Sequence, residues 1–141
     1  MIGERVLPSP APVVLPEGKV FWDATAEGRL LLPRCEDCQT VIWYPRPYCP
    51  VCASLRIAWF EASGRGSIYS FTVNRRSHAD LSAYREAGTY VLAYVELEEG
   101  PRVMTNIVDC DPDSVKIGQQ VEVVFHDTGQ GTALPRFRPT A

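Results

Sequence analysis

Apolar residues recur with two different periods on either side of a cysteine-rich segment. In "KVFWDATAE", residues 19–27, Val20, Phe21 and Ala24 share one helical face, and Gly28 follows where a left-handed C-terminal cap is wanted. One short helix is predicted there. After the cysteines the period falls to two: "SIYSFTVN" alternates through Tyr69, Phe71 and Val73, "YVLAYVEL" through Val91, Ala93, Val95 and Leu97, "RVMTNIV" through Val103, Thr105 and Ile107, and "QVEVVF" through Val121, Val123 and Phe125. Those segments predict four strands. A fifth is predicted in "TALPRFRP", residues 132–139, where Pro135 cannot donate to a ladder and confines the strand to an edge or a bulge.

The connections refine the picture. Glu99-Gly100-Pro101 reads as a tight turn, and "CDPDSVKIGQQ", residues 110–120, as a longer link with room for one helical turn. "RRSHADLSAYREAG", residues 75–88, exceeds what a hairpin needs, so it packs as an elaboration or reaches towards something. Five short strands with one interrupted connection suit a small Greek-key barrel of the OB type, with an SH3-like barrel or a sandwich fragment as alternatives. At the other end Pro8, Pro10, Pro12 and Pro16 fix φ and remove backbone donors, which makes residues 1–16 extended and polyproline-like. That arm is either disordered or lies along another surface through Val13, Val14 and Leu15.

At 141 residues and 45% hydrophobic composition the chain can bury the core of one domain, with or without a metal-stapled appendage. It holds no run near the roughly 18 apolar residues of a membrane span, and residues 13–15 are too brief for a secretory core, so a soluble, cytoplasmic protein away from membranes is expected. Net charge is −3 and the cations form no block longer than Arg75-Arg76, which disfavours general attraction to nucleic acid. Those cations are nearly all arginine, suited either to surface pairing or to bidentate capture of carboxylate and phosphate.

Chemistry concentrates in "RCEDCQTVIWYPRPYCPVCAS", residues 34–54, which holds four of the five cysteines. Cys35 and Cys38 form one CxxC pair, Cys49 and Cys52 another, and a ten-residue segment, 39–48, separates them. Two such knuckles at the ends of a ribbon complete a tetrahedron of thiolates, and zinc is the natural occupant, with iron in a rubredoxin-like cage as the alternative. A thioredoxin-like redox site would instead open a helix in a βαβ unit, which the strand pattern lacks. Four protein ligands leave no open position, so the metal is expected to be structural. Zinc binding of about 10–16 kcal/mol in comparable peptides supplies what so short a segment cannot bury. Trp43, Tyr44 and Tyr48, with Arg46 among them, exceed the aromatic content of a solvated hairpin; they pack on the barrel or face a partner, and Phe21-Trp22 poses the same choice between core and docking patch.

Cys110 is the one cysteine left for a nucleophile, and a semi-buried packing thiol is its other reading. The histidines, His78 and His126, stand in no motif. Asp111 with Asp113 and Glu98 with Glu99 are paired acids in turns, where solvated acids are ordinary, and neither a GxSxG elbow nor a Gly-rich phosphate loop is found. The pattern is that of a binding module or subunit, without catalytic residues of its own. The organisation read from the chain is an extended arm (1–18), a helix and strand (19–33), a zinc ribbon (34–58) and a five-stranded OB-fold barrel (59–141), mainly β overall.

The succession "FW…EGRLLLPRC", the CxxC ribbon, "SGRGSIYSFTV", "YVLAYVEL", "TNIVDCDPDSVKIGQQVEVVF" and "LPRFRP" resembles, over residues 20–139, the zinc-ribbon/OB-fold proteins associated with thiolases and other acyl-CoA enzymes. The resemblance implies an accessory subunit in a hetero-oligomer with a thiolase-fold enzyme. That partner would carry the catalysis of carbon–carbon bond formation or cleavage on acyl-CoA thioesters, steroid side-chain cleavage included. The barrel would then offer a protein- or CoA-binding face. On this reading the ribbon aromatics Trp43, Tyr44 and Tyr48, Phe21-Trp22 and the arm dock the partner, while Arg46, Arg75, Arg76, Arg136 and Arg138 meet its acidic rim or CoA phosphates. One departure stands out: family knuckles commonly place Gly after the second cysteine, where Gln39 and Ala53 stand here. The rival functions are a single-stranded nucleic-acid binder and a free-standing acyl-CoA binder.

Overall fold

A computed structural model describes residues 7–76 and 82–140; His78 lies outside them. A 3₁₀ turn, Pro16–Gly18, leads into helix α1 (Lys19–Thr25), and Gly28 beyond it adopts φ 71°, the left-handed conformation its position predicts. Next come β1 (Leu31–Cys35), the cysteine ribbon and β2 (Ile57–Glu61), which pairs antiparallel with β1 from Leu31↔Glu61 to Cys35↔Ile57. The remaining elements are β3 (Arg65–Asn74), α2 (Ser82–Ala87), β4 (Tyr90–Leu97), β5 (Arg102–Ile107), a 3₁₀ turn at Pro112–Ser114, β6 (Gln120–Asp127) and β7 (Ala133–Pro139).

Strands β3-β4-β5-β7-β6 close into a barrel in that order, which is the five-stranded OB architecture. Inside it, β4 places Val91, Ala93, Val95 and Leu97 on one face, as its alternation predicts. β3 departs from its alternation. A register shift between Ile68 and Ser70 inserts an extra residue, so Ile68 is buried and Tyr69, predicted to point inward, is exposed. Strand β2 is an addition: five consecutive residues, "IAWFE", carry no period-two signal because Trp59 and Phe60 both pack against the core from a half-buried ribbon. The seam between β5 and β7 is thin, with one paired position, Ile107↔Phe137, and a hydrogen bond from Thr105 Oγ1 to the Pro135 carbonyl at 3.0 Å. Contrary to the edge or bulge expected from Pro135, β7 lies between β5 and β6 in the closed barrel, and the proline is accommodated on the thin β5 side, where no ladder donor is called for.

Helix α1 buries Phe21, Trp22, Ala24 and Thr25 and leaves Val20 exposed. The Phe21 and Trp22 side chains join the barrel core of Ile68, Val91, Val95, Val121 and Phe137. Fully burying such a side chain stabilises by about 1.5–3 kcal/mol, and this decides between core and patch. Phe21-Trp22 is core and leaves the docking set. Thr25 Oγ1 locks the helix in place by accepting from the Ala133 amide at 3.0 Å while donating to the Trp22 carbonyl.

Gly66 marks the closest approach in the barrel, because a Cβ built there would lie 2.5 Å from the Glu96 carbonyl oxygen and 2.8 Å from Val95 Cγ1. Backbone cannot step aside cheaply. Gly66→Ala is expected to destabilise the fold by about 1–3 kcal/mol, the usual cost of overpacking, read as a lowered urea midpoint with unchanged slope.

Candidate metal centre and docking surface

The ribbon has its own small core, in which Cys35, Ile42 and Cys49 are buried and Ile57 packs alongside. Both knuckles turn the same way. The Gln39 amide donates to the Cys35 carbonyl and the Ala53 amide to the Cys49 carbonyl, each at 2.9 Å. Gln39 has φ 64° and Ala53 φ 62°, so the two positions where glycine is expected are left-handed, with side chains that tolerate the conformation at a cost. Gln39 offsets part of it by donating from Nε2 to the Glu36 carbonyl at 3.0 Å.

The four thiols converge. All ligand atoms of Cys35, Cys38, Cys49 and Cys52 lie within 4.8 Å of one another, with Cys35–Cys52 at 3.5 Å and Cys38–Cys49 at 3.6 Å. Sulfurs about 2.3 Å from a tetrahedral ion stand roughly 3.8 Å apart, so the cage is sized for a metal. Its electrostatics agree. The Thr40 hydroxyl pulls the Cys38 thiol down to about 6. The Ser54 amide acts in the same sense on Cys52, yet the thiol is pushed up to about 12 by its contact with Cys35, by desolvation and by the other cysteines. Neighbouring sulfurs cannot all be anionic unaided, and a cation among them removes the conflict. The Val51 amide also donates to Cys49 Sγ at 3.4 Å.

Between the knuckles the aromatics divide their work. Trp43 packs on Phe21 at a centroid distance of 5.3 Å, and Tyr44 accepts a 2.7 Å hydrogen bond from Trp22 Nε1. These contacts fasten ribbon to helix. They also roof a cavity of about 270 Å³ whose other wall includes Met104, Leu134 and Arg136. Tyr48 and Arg46 point to solvent, and so do Val51 and Leu55, 71% and 79% exposed. Sequence reasoning passed over that last pair, although two apolar residues flanking Cys52 in a ribbon with so little interior were a usable signal. A second apolar face, also unanticipated, lies outside the barrel, where Tyr69, Leu92, Tyr94 and Met104 are exposed. Leu92, Tyr94 and Met104 occupy the nominally polar side of the β4 and β5 alternation, and the β3 bulge brings Tyr69 to the same face.

The arginines do not form one site. Arg75 pairs with Asp113 and Arg138 with Glu122, whereas Arg46 and Arg76 are exposed without a salt bridge among the described residues. Arg136 is 2% exposed and bonded inside the barrel wall, which removes it from any contact with an acidic rim or a CoA phosphate at the surface. Cys110 is half-buried, and burial pushes its thiol up, the behaviour of a packing residue. No helix among the described residues is long and apolar enough to cross a membrane.

A closed four-thiolate ribbon mounted on a five-stranded barrel defines the class of protein. Residues 22–57 match the family model described as the ChsH2 rubredoxin-like zinc ribbon domain, and residues 59–126 that of the ChsH2 C-terminal OB-fold domain. The chain belongs to this zinc-ribbon/OB-fold family, also termed DUF35. It is 41% identical over 93 residues to a DUF35 domain-containing scaffold protein of Methanothermobacter thermautotrophicus, covering 65% of this chain and 68% of that protein. It is 35% identical over 130 residues to a probable enoyl-CoA hydratase alpha subunit of Thermomonospora curvata, spanning 92% of this chain but 40% of that longer protein. Among solved structures, a chain of the Ltp2-ChsH2(DUF35) aldolase superposes with TM-score 0.80 at 33% identity, covering 93% of this chain and all of that one.

Three measurements follow from the cage. Elemental analysis of purified protein should find one metal ion per chain, and a strong chelator should lower the melting temperature. Ala53→Gly should raise metal affinity roughly fivefold by relieving about 1 kcal/mol of left-handed strain, as read in competition with a chromophoric chelator.

Proposed function

We propose that this chain is an accessory subunit, without catalytic residues of its own, that docks on an acyl-CoA enzyme and supports its activity. The observation that carries the reading is the match along 93% of the chain to a component of the Ltp2-ChsH2(DUF35) aldolase. The hydratase alpha-subunit relatives from Thermomonospora curvata and Mycobacterium tuberculosis also act on CoA thioesters by name, and each is more than twice as long as the matched segment. The partner is a thiolase-fold enzyme that makes or cleaves a carbon–carbon bond, of thiolase or retro-aldolase type, with steroid side chains among its substrates. It carries the reacting groups. This chain supplies a platform whose exposed apolar points are Tyr44, Tyr48, Val51 and Leu55 on the ribbon and Val13, Val14 and Leu15 on the arm. Arg46 and Arg76, both exposed and without an ion pair among the described residues, meet the partner's acidic rim or the phosphates of a CoA thioester held at the interface.

The cage metal in this reading is zinc. A d¹⁰ ion with four thiolates has no redox chemistry and no free coordination position, which suits a part that only holds shape. Nucleic acid fits poorly: on the exposed aromatic face of the barrel Arg102 already stacks on Tyr69 at 3.7 Å and pairs with Glu96 at 2.9 Å, leaving no cationic stripe.

Affinity capture of the intact chain from native extract, followed by mass spectrometry, should recover a thiolase-fold acyl-CoA enzyme in near-stoichiometric amount. Recovery of no acyl-CoA enzyme would overturn the proposal, and recovery of a hydratase would replace the thiolase as partner. The paired substitution Val51→Asp with Leu55→Asp should weaken that capture at least tenfold while leaving metal content unchanged, since apolar anchors dominate such interfaces.

A further inference from the structure

Arg136 on β7 is buried, and the docking chemistry above makes no use of it. Its Nε donates to Asn106 Oδ1 on β5 at 3.2 Å, its Nη1 to His126 Nδ1 on β6 at 2.8 Å and to Ser9 Oγ at 3.0 Å, and its Nη2 to the Pro8 carbonyl. Asn106 is itself oriented, because its Nδ2 donates to the Val91 carbonyl at 2.9 Å and turns Oδ1 towards the guanidinium. Three barrel strands thus aim one cation at the N-terminal arm. Among the described residues every hydrogen bond between residues 7–14 and the barrel runs through Arg136, and Leu7, itself buried, lines the same cavity as His126.

The chemistry of the two sides matches. An arm with prolines at 8, 10 and 12 is poor in backbone N–H groups and offers mainly carbonyls, and guanidinium is a donor without acceptor capacity. Proline also restricts the free arm, so little conformational entropy opposes its docking and a few bonds suffice. Because guanidinium cannot accept, His126 must receive the bond on the Nδ1 lone pair, which fixes it as the neutral Nε2–H tautomer. A proton on Nδ1 would set N–H against N–H and one cation against another.

We propose that Arg136 is a latch holding the proline-rich arm on the barrel, and that protonation of His126 releases it. The groups around His126 among the described residues are few. Arg136 from β7 and burial both disfavour its charged form, with burial the larger effect, and Asp109 beyond β5 opposes them. Tyr84 on α2 acts on Arg136, and Tyr90, Cys110 and Asp127 line the same open cavity as His126. A histidine whose pKa is depressed in the latched form stabilises that form while neutral. The hold is therefore complete above the ordinary value of 6.5 and is lost as pH falls below it towards the depressed value. This device is independent of which enzyme the chain serves.

Backbone ¹⁵N relaxation of the intact, metal-loaded protein tests both halves. At pH 7.5 Leu7, Ser9 and Ala11 should show order parameters near the rigid-backbone value of about 0.85, and Arg136→Met should drop them below about 0.6 while the barrel strands stay rigid. Rigid arm amides in Arg136→Met over an intact barrel would refute the latch. The wild-type titration needs no variant: arm order should fall over the pH range in which the ring nitrogens of His126 report protonation, and should not fall in His126→Asn, which keeps an acceptor but does not titrate. An arm that stays ordered after His126 is protonated, or one that loosens equally in His126→Asn, would refute the release.

Discussion

Four thiolates confined within 4.8 Å of one another cannot exist as anions without a cation at their centre, and the rest of the architecture rests on that constraint. The ribbon buries little besides Cys35, Ile42 and Cys49, so it has almost no apolar driving force of its own. Its shape is set by the cage. That shape in turn holds Trp43 and Tyr44 against Phe21 and Trp22, whose side chains complete one end of the barrel core. A metal held wholly by the ribbon thereby controls how the helix sits on the barrel, and a change at the knuckles is felt in the core.

Most surface charge is spent internally. Lys19–Asp23, Arg56–Asp37, Arg102–Glu96 and Arg138–Glu122 are exposed pairs of the kind worth at most about 1 kcal/mol each, and their wider effect is to leave the exterior without a single-sign field. What remains to distinguish one face from another is apolar area. Tyr48, Val51 and Leu55 stand on the ribbon that the four cysteines template, whereas Tyr69, Leu92, Tyr94 and Met104 stand on the barrel wall. A docking platform gains from anchors whose geometry is fixed before the partner arrives.

Much of this was legible in the residues, for reasons that are local. CxxC spacing dictates which sulfurs meet, and alternation in "YVLAYVEL" dictates which side chains enter the barrel, since both signals are complete within a few positions. The turns after each knuckle were not local in this sense: only the resemblance expected glycine at positions 39 and 53, and the structure keeps the left-handed shape with Gln39 and Ala53 in place. What escaped depended on distant partners. The β3 bulge reverses the facing of Tyr69, and β2 hides its period because Trp59 and Phe60 are both half-buried; for Phe21-Trp22 the sequence offered core or docking patch, and the closure of ribbon and barrel over the pair decides for core. Arg136 was read as a surface cation since nothing near it in sequence shows that Pro8 and Ser9, more than a hundred positions away, fold over it.

The hydrogen bond from the Ala133 amide to Thr25 Oγ1 joins residues 108 positions apart, tying the first helix to the first residue of the last strand. A ribosome delivers these ends in order, so α1 emerges with Phe21 and Trp22 bare and has no complete seat until β7 has left the exit tunnel. Until that strand arrives the nascent chain carries an aromatic pair with no complete interior to enter. The closing strand is thus also the event that shields the opening one, and a chain halted short of it presents that pair to chaperones and to its neighbours.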